Sequence, residues 1–200
     1  VNRPAWSVFV MTIRRSSGCT NGRISAGSGL AVRATTLRLN SNVTARCESP
    51  TSFGDPAMVW RKSDGNFYFA ALHSNGLGVW RSTDDCLNFP FLAMIHTSGN
   101  DDKELMVVDN NPASPFYGRL YVAWTDFNDS RIYETHSDNG TTWSTPVALS
   151  ASGADVQGAW PAVAPNGDVY VAWVRWNPWP SGPMDIQVAR STNGGVSYAL

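Results

Sequence analysis

Residues 118–124 read Gly-Arg-Leu-Tyr-Val-Ala-Trp, in which a glycine and one polar residue precede an unbroken apolar and aromatic run. Two other stretches share this pattern, Gly-Asn-Phe-Tyr-Phe-Ala-Ala at residues 65–71 and Gly-Asp-Val-Tyr-Val-Ala-Trp at residues 167–173. A short apolar run without polar alternation is typical of a strand that is covered on both faces. We therefore expect three equivalent strands, each inside a sheet rather than at its edge.

Each of these strands is flanked by two further apolar runs. The preceding runs begin at residues 56, 104 and 160, and the following runs cover residues 77–81, 131–135 and 185–190. Between the runs lie Gly, Asn, Asp, Pro and Ser, which favour turns, and helical periodicity is almost absent. The sequence therefore predicts an all-β chain of repeated antiparallel strands.

A related turn follows the third strand of each unit. These turns cover residues 82–89, 136–143 and 191–198, and alignment on Asp84, Asp138 and Asn193 spaces them by 54 and 55 residues. A period of roughly 50 residues with about four strands per unit is typical of a β-propeller blade. We expect three such four-stranded blades at about 51–100, 101–150 and 151–200, the last incomplete, after an irregular blade or blade part over residues 1–50.

The turns resemble the Asp-box, Ser/Thr-x-Asp-x-Gly-x-Thr-Trp, of sialidases and related bacterial-neuraminidase-repeat propellers. The second copy matches best, although His136 stands where Ser or Thr is usual. In that family the box is structural: an Asp or Asn oxygen accepts hydrogen bonds from the turn backbone, and a terminal aromatic covers it. The positions to which this structural role is carried over are Ser82, Asp84, Phe89, Asp138, Gly140, Thr142, Trp143, Ser191, Asn193, Gly195 and Tyr198.

The resemblance also implies a six-bladed ring, which is larger than 200 residues can supply at this period. We therefore expect the remaining blades either further along the polypeptide or in another chain. A four-bladed ring is the alternative, with the first 50 residues as a degenerate blade.

Candidate binding residues lie on the face opposite the Asp-box turns, where propellers usually meet their ligands. Residues 72–76, 125–130 and 174–184 reach that face, together with Asp55 and residues 101–104 and 157–160 at the entries of the first strands. Carboxylates and Arg bond the polar groups of a sugar, and Trp stacks on its apolar face. The candidates are Asp102, Glu104, Asp126, Arg131, Trp160, Arg175, Trp176 and Trp179.

The resemblance implies a function in glycan recognition, with exo-sialidase activity when the ring is complete. Sialidases hold the substrate carboxylate with three Arg and use an Asp acid and a Tyr nucleophile assisted by Glu. The motif that carries the first Arg is not found here, so the catalytic residues stay unassigned. A noncatalytic scaffold or adhesion propeller that binds protein partners is the alternative.

Composition excludes several classes of partner. Fifteen Lys and Arg balance sixteen Asp and Glu, which disfavours binding to nucleic acid or an anionic membrane. The longest apolar stretch, residues 6–13, falls far short of the ~20 residues that a membrane helix needs. The low charge and abundant Asn, Ser and Thr predict a secreted protein.

Cysteine and metal chemistry have few candidates. Cys19 and Cys47 form a candidate disulfide, which leaves Cys86 unpaired. No cofactor or metal is expected, and the oxygen-rich residues 126–129 are the one segment that suits Ca²⁺.

Overall fold

The computed structural model describes residues 46–47, 52–97 and 100–200. The predicted N-terminal blade over residues 1–50 and the Cys19–Cys47 disulfide therefore lie outside the described residues, apart from the backbone of a short strand at Arg46–Cys47. The described part is all β, as predicted, and none of its elements is a helix of the length and apolarity needed to cross a membrane.

Three antiparallel sheets follow one another along the chain, and we call them the first, second and third blade. The first blade has the strand order β2-β3-β4-β6, from β2 (Ser52–Arg61), β3 (Asn66–His73), β4 (Gly76–Ser82) and β6 (Phe91–His96). Two short strands, β1 (Arg46–Cys47) and β5 (Asn88–Phe89), pair in parallel beside it.

The second and third blades repeat this order. The second contains β7 (Asp101–Val108), β8 (Leu120–Asp126), β9 (Arg131–Ser137) and β10 (Val147–Ala148). The third contains β11 (Val156–Val163), β12 (Val169–Trp176) and β13 (Met184–Ser191), and a bridge between Arg190 and Ala199 begins a fourth strand. The repeated runs form β3, β8 and β12, each the second strand of its sheet and bonded on both sides, which confirms that they are not edges.

The hydrophobic core lies between blades, because alternate residues of the second strand point to opposite neighbours. In the second blade Leu120, Val122 and Trp124 pack toward the first blade, against Tyr68 and Ala70. Ala123 of the same strand packs toward the third blade, against Val171 and Trp173. All eight of these side chains are at most 1% exposed, so the blades are held together mainly by burial of apolar surface.

Glycines at the start of the second strands permit close approach between blades. Gly118 has a φ of 90°, and a Cβ atom at this residue would lie 2.6 Å from the Ser63 hydroxyl of the first blade. Gly167 has a φ of 87°, and its Cβ would lie 2.5 Å from the Ser114 hydroxyl of the second blade. Both the positive φ and the contact therefore require glycine in this pattern.

The turns after β4 and β13 are held by one side chain each. The Asp84 carboxylate accepts hydrogen bonds from the Ser82 hydroxyl (2.7 Å) and the Asn88 backbone (3.0 Å), and the bonds from Asn88 lower the pKa of Asp84 to about 2. Asn193 accepts from the Ser197 backbone at 3.0 Å, and Ser191 donates to it at 2.8 Å. These contacts leave both side chains engaged within their own hairpins.

The turn after β9 differs from the predicted alignment by one residue. The side chain that accepts from the turn backbone is Asn139, at 2.8 Å from the Thr141 amide and 2.9 Å from the Thr142 amide. Asp138 instead accepts from two nitrogens of Arg119, at 2.7 and 2.8 Å. Asn139 supplies the side-chain oxygen that accepts from the turn backbone, and the Asp138 charge is used in an ion pair with Arg119.

The aromatic and small residues of the turns also have defined places. The Trp143 indole donates to the Gly140 carbonyl at 3.1 Å, and the Gly140 backbone packs on the Tyr68 ring of the first blade. Phe89 is buried beside Phe69, while Tyr198 packs against the core between the second and third blades. Of the other turn residues, Thr142 accepts a hydrogen bond from the Asn139 side-chain amide, and Gly195 donates its backbone amide to the Ser191 hydroxyl.

We expect Asn139→Ala to lower the free energy of unfolding by about 1–2 kcal/mol, because two backbone amides lose their acceptor. Asp138→Asn is the matched control. Its exposed ion pair with Arg119 should contribute less than about 1 kcal/mol. Urea unfolding of both variants measures the difference, and a larger loss at Asp138 would contradict the assignment.

Candidate functional site

The first strand of each blade carries a bulge at the same level. Register shifts fall between Gly54 and Ala57 in β2, between Asp102 and Leu105 in β7, and between Gln157 and Trp160 in β11. The residues with positive φ in these bulges are Asp55 (47°), Lys103 (55°) and Gly158 (77°). Bulges re-aim side chains at the rims of sheets, and β7 packs against both β2 and β11, so the three bulges are neighbours.

The bulges lie at the end of the blades opposite the turns that resemble Asp-boxes. Asp101 beside the second bulge pairs with Asp126 at the end of β8, whereas Ser137 before the turn pairs with Leu120 at its beginning. The antiparallel order thus separates the two sets of residues by the length of a strand.

Side chains from different blades meet at the bulges. Lys103 of the second blade donates to Asp55 of the first at 3.0 Å. Gln157 of the third blade donates to Asp102 of the second at 2.7 Å. Two carboxylates, one cation and one amide are therefore gathered from three blades, and Asp55 and Lys103 are substantially exposed.

Glu104 is buried next to this group. Its side chain is 1% exposed and neither carboxylate oxygen has a hydrogen-bond partner among the described residues. The pKa of Glu104 is raised to about 9, mainly by burial; the backbone amide of Glu104 itself opposes this rise, and the negative charges of Asp55 and Asp102 add to it. The carboxyl group is accordingly neutral at pH 7. A neutral acid beside carboxylates is the arrangement that separates proton donor from acceptor in many glycosidases.

A second cluster joins the first and second blades at the same end. The His96 Nδ1 atom lies 2.9 Å from Asp101, and His96 Nε2 lies 4.0 Å from Asp126. Burial is the largest influence on Asp101 and raises its pKa, while His96 acts in the opposite direction. These three side chains are the set among the described residues that could hold a metal ion, with ligand atoms within 4.8 Å of one another.

In the segment predicted to suit Ca²⁺, one oxygen of each aspartate is engaged within the segment and its strand, while Asp129 Oδ1 is buried without a hydrogen-bond partner among the described residues. Asp126 accepts from the Asn128 backbone at 2.8 Å. Asp129 accepts from the Tyr133 hydroxyl at 2.7 Å and lies 3.6 Å from the Arg131 guanidinium. Asp126 and Arg131 pair with each other at the predicted end of the second blade. Asp126 belongs to the His96 cluster, and Arg131 lies beside Asp129.

The loop after β12 displays a tryptophan. The Trp179 side chain is 55% exposed and stands perpendicular to Trp176 with ring centroids 4.6 Å apart. The Trp179 backbone donates to the Asp155 carboxylate at 3.0 Å. Arg175 is exposed in the same region and pairs in register with Val156.

Trp160 lies on the side of the third blade rather than at its rim. It pairs directly with Ala172, and the equivalent pairs are Ala57 with Ala70 and Leu105 with Ala123. Ala70 and Ala123 are fully buried between blades, so position 160 belongs to an interblade face. Trp176 lies on the same face, because it is four residues beyond Ala172 on β12 and alternate residues of a strand point to one side.

The structure thus brings Asp102 and Glu104 together and leaves the other candidates in separate groups. The prediction placed Asp55, Lys103 and Gln157 at the end opposite the turns, where the structure has them, but did not select them as binding residues. It did not consider His96. One sequence signal could have found that pair: His96 ends one strand and Asp101 begins the next.

Comparison with known proteins shows the fold. The sequence matches no protein-family model and no curated protein. Among solved structures, an α-L-arabinofuranosidase from Fusarium graminearum aligns over 75% of this chain and 47% of its own, with a TM-score of 0.57 and 11% identity. A xylan β-1,4-xylosidase from Bacillus halodurans aligns over 75% of this chain and 31% of its own, with a TM-score of 0.53 and 18% identity. A Hadza microbial sialidase aligns over 74% of this chain and 36% of its own, with a TM-score of 0.52 and 15% identity.

These neighbours are β-propeller glycosidases, and the chain spans less than half the length of each of the three. Identities this low carry the fold alone. The three described sheets are therefore similar to consecutive blades of a glycosidase-type β-propeller.

Proposed function

We propose that this chain supplies blades of a glycoside hydrolase that binds its glycan at the three bulges. The observation that carries the proposal is the convergence of Asp55, Asp102 and the neutral Glu104 at the rim of adjacent blades, opposite the hairpin turns. Glycoside hydrolysis uses two carboxyl groups that flank the scissile bond, and Asp55 and Asp102 are the two carboxyl groups of this cluster that could face a sugar.

In this proposal the exposed and the buried groups have different roles. Asp55 and Asp102 face the sugar, oriented by Lys103 and Gln157 through the contacts described above. Glu104 lies too deep to touch a substrate. It acts as a positioning residue, a neutral carboxyl group behind Asp55 and Asp102. Arg131, Arg175 and Trp179 extend the binding surface around the rim.

The finer assignment, exo-sialidase within the Asp-box family, rests on the resemblance of the turns. A sialidase would use cationic residues of this face to hold the substrate carboxylate. Arg131 and Arg175 are available for this, and both neutral and acidic sugars therefore belong in the test. Secretion is part of the same proposal, since its substrate would be an extracellular glycan, and cell fractionation of the native host would test it.

A panel of fluorogenic glycosides tests the function directly. The sialoside, α-L-arabinofuranoside and β-xyloside are assayed with the purified full-length protein, in parallel with a glycan array. Turnover of any one supports the hydrolase, and turnover of the sialoside alone supports the finer assignment. Binding without turnover would favour a noncatalytic glycan-binding propeller, and neither binding nor turnover would reject the proposal.

A further inference from the structure

Two carboxylates lie directly opposite each other at the end of the second blade that carries the bulges. Asp101 begins β7 and Asp126 ends β8, and the two are register partners of this antiparallel pair. Their side chains are only 1% and 10% exposed, respectively. Like charges at directly opposite positions destabilise a sheet, and burial increases the cost. The pair therefore needs a positive charge close to both carboxylates.

His96 of the first blade supplies a ring that contacts both of them. Its Nδ1 atom lies 2.9 Å from Asp101 Oδ1, and its Nε2 atom lies 4.0 Å from Asp126 Oδ2. The ring also packs against Trp124 and Tyr133, with centroids 5.3 and 6.5 Å away. Its orientation toward the carboxylates is therefore set by aromatic packing as well as by the contact with Asp101.

The two ring nitrogens of His96 have different surroundings. An ionised carboxylate only accepts hydrogen bonds, so the Nδ1–H group donates to Asp101 and the lone pair of the neutral imidazole is on Nε2. The distance from Nε2 to Asp126 exceeds the roughly 2.7–3.2 Å of an N–H···O hydrogen bond. Two electron-rich atoms at this separation attract a cation between them. A histidine whose other nitrogen donates to a carboxylate is also the usual arrangement of a metal ligand.

The neighbouring contacts are compatible with an ion at this position. Asp126 Oδ1 accepts from the Asn128 backbone at 2.8 Å, which holds the carboxylate with Oδ2 toward His96. Arg131, the cross-strand partner of Asp126 on β9, has its guanidinium 3.6 Å from Asp129. The His96 side chain is 24% exposed, so an ion and the water molecules that complete its coordination can enter from solvent.

We propose that His96 Nε2 and Asp126 Oδ2 bind a divalent transition-metal ion of the Zn²⁺ class, and that Asp101 is the positioning residue that orients the histidine. An imidazole nitrogen with a carboxylate oxygen is a donor pair for this class of metal, whereas Ca²⁺ takes oxygen ligands. Zn²⁺ binds both donors at roughly 2.0–2.2 Å and holds them about 3.4 Å apart, so a closure of about half an ångström completes the site.

The ion joins two blades, because His96 belongs to the first blade and Asp126 to the second. All three side chains of the cluster come close only when these blades are packed together, with ligand atoms within 4.8 Å of one another. The ion therefore stabilises the folded state alone. The proposal rests on this interblade contact and not on the glycan chemistry.

Equilibrium dialysis of the metal-free full-length protein against Zn²⁺ tests the proposal. We expect one equivalent of Zn²⁺ that depends on His96, with Ca²⁺ bound at least about 100-fold more weakly at this site. His96→Gln and Asp126→Asn each change a ligand and should weaken Zn²⁺ binding by more than about 100-fold. Asp101→Asn should weaken it by about 10-fold to 100-fold, as is usual for a residue that orients a ligand.

His73→Gln is the matched control, since His73 lies in the same blade, at the end of β3, and outside the cluster. This variant should bind Zn²⁺ as the wild type does. Circular dichroism of every variant checks that it is folded.

NMR of wild-type protein labelled at its histidine nitrogens needs no substitution. One histidine should show the Nδ1–H tautomer, and Zn²⁺ should shift its Nε2 resonance. In Asp101→Asn this tautomer preference should be lost, because an amide side chain can donate as well as accept.

Zn²⁺ binding that survives His96→Gln would place the ion elsewhere and overturn the proposal. A wild type that binds no Zn²⁺ would overturn it too, and would show that a protonated His96 supplies the positive charge beside the two carboxylates.

Discussion

Asp102→Asn is expected to lower the turnover number for the cleaved glycoside by about 100-fold to 10,000-fold, the range that a positioned acid or base contributes. The substitution keeps the shape of the side chain and leaves an oxygen that can accept from Gln157, whose amide now lies 2.7 Å from the carboxylate. Folding should therefore be unaffected while the charge is lost. Steady-state kinetics with the best glycoside of the panel measures the change, and KM should change much less than the turnover number.

Asp85→Asn provides the comparison for this variant. Asp85 is an exposed carboxylate in the turn after β4, at the end of the blades opposite the bulges, and the same chemical change there should leave turnover within about twofold. Equal losses in the two variants, or full activity of Asp102→Asn, would show that the bulges are not where the glycan is processed.

Glu104→Gln is expected to remove a large part of the pH dependence of stability. The pKa of Glu104 is raised to about 9 in the folded protein, from the ordinary 4.5. A raised carboxyl pKa means that the folded state retains the proton more strongly than the unfolded state. The stability is complete below pH 4.5 and is lost as pH rises toward 9. At 1.36 kcal/mol per unit, this loss amounts to roughly 3 kcal/mol between pH 4.5 and 7.

Glutamine is uncharged throughout this range, so its stability should change less with pH. Urea unfolding at pH 5, 7 and 9 gives the comparison, with the wild type losing more stability than Glu104→Gln between pH 5 and 9. Glu134, buried between the second and third blades, has a pKa raised to about 8 by burial and acts in the same direction. The double variant with Glu134→Gln should be the least sensitive to pH. Identical pH profiles for Glu104→Gln and the wild type would refute the burial argument.

Much of the fold was accessible from sequence because its determinants are local. The runs at residues 65–71, 118–124 and 167–173 form the predicted second strands, since apolar continuity reflects cover on both faces. Turn chemistry is local as well, and the repeated polar turns lie after the third strands. The Asp-box resemblance predicted a sialidase-like propeller, and the comparison with solved structures supports the coarser assignment to a glycosidase-type propeller.

The alignment of the second turn shows where local reasoning reaches its limit. Asp138 and Asn139 are adjacent, and both residue types suit the turn. The choice depends on Arg119, which is nineteen residues away in sequence and draws Asp138 into an ion pair. That contact exists only after the second blade has folded.

The sequence by itself determined the all-β class, the repeat and which loops share the end opposite the turns, because strand periodicity and turn composition are properties of neighbouring residues. Only the tertiary structure decided which residues meet. Each bulge shifts the register of a strand and re-aims its side chains, and this brings Lys103 to Asp55 and Gln157 to Asp102 across 48 and 55 residues. Likewise, the position of Trp160 between blades follows from its cross-strand partner, which an apolar residue in a sequence does not reveal.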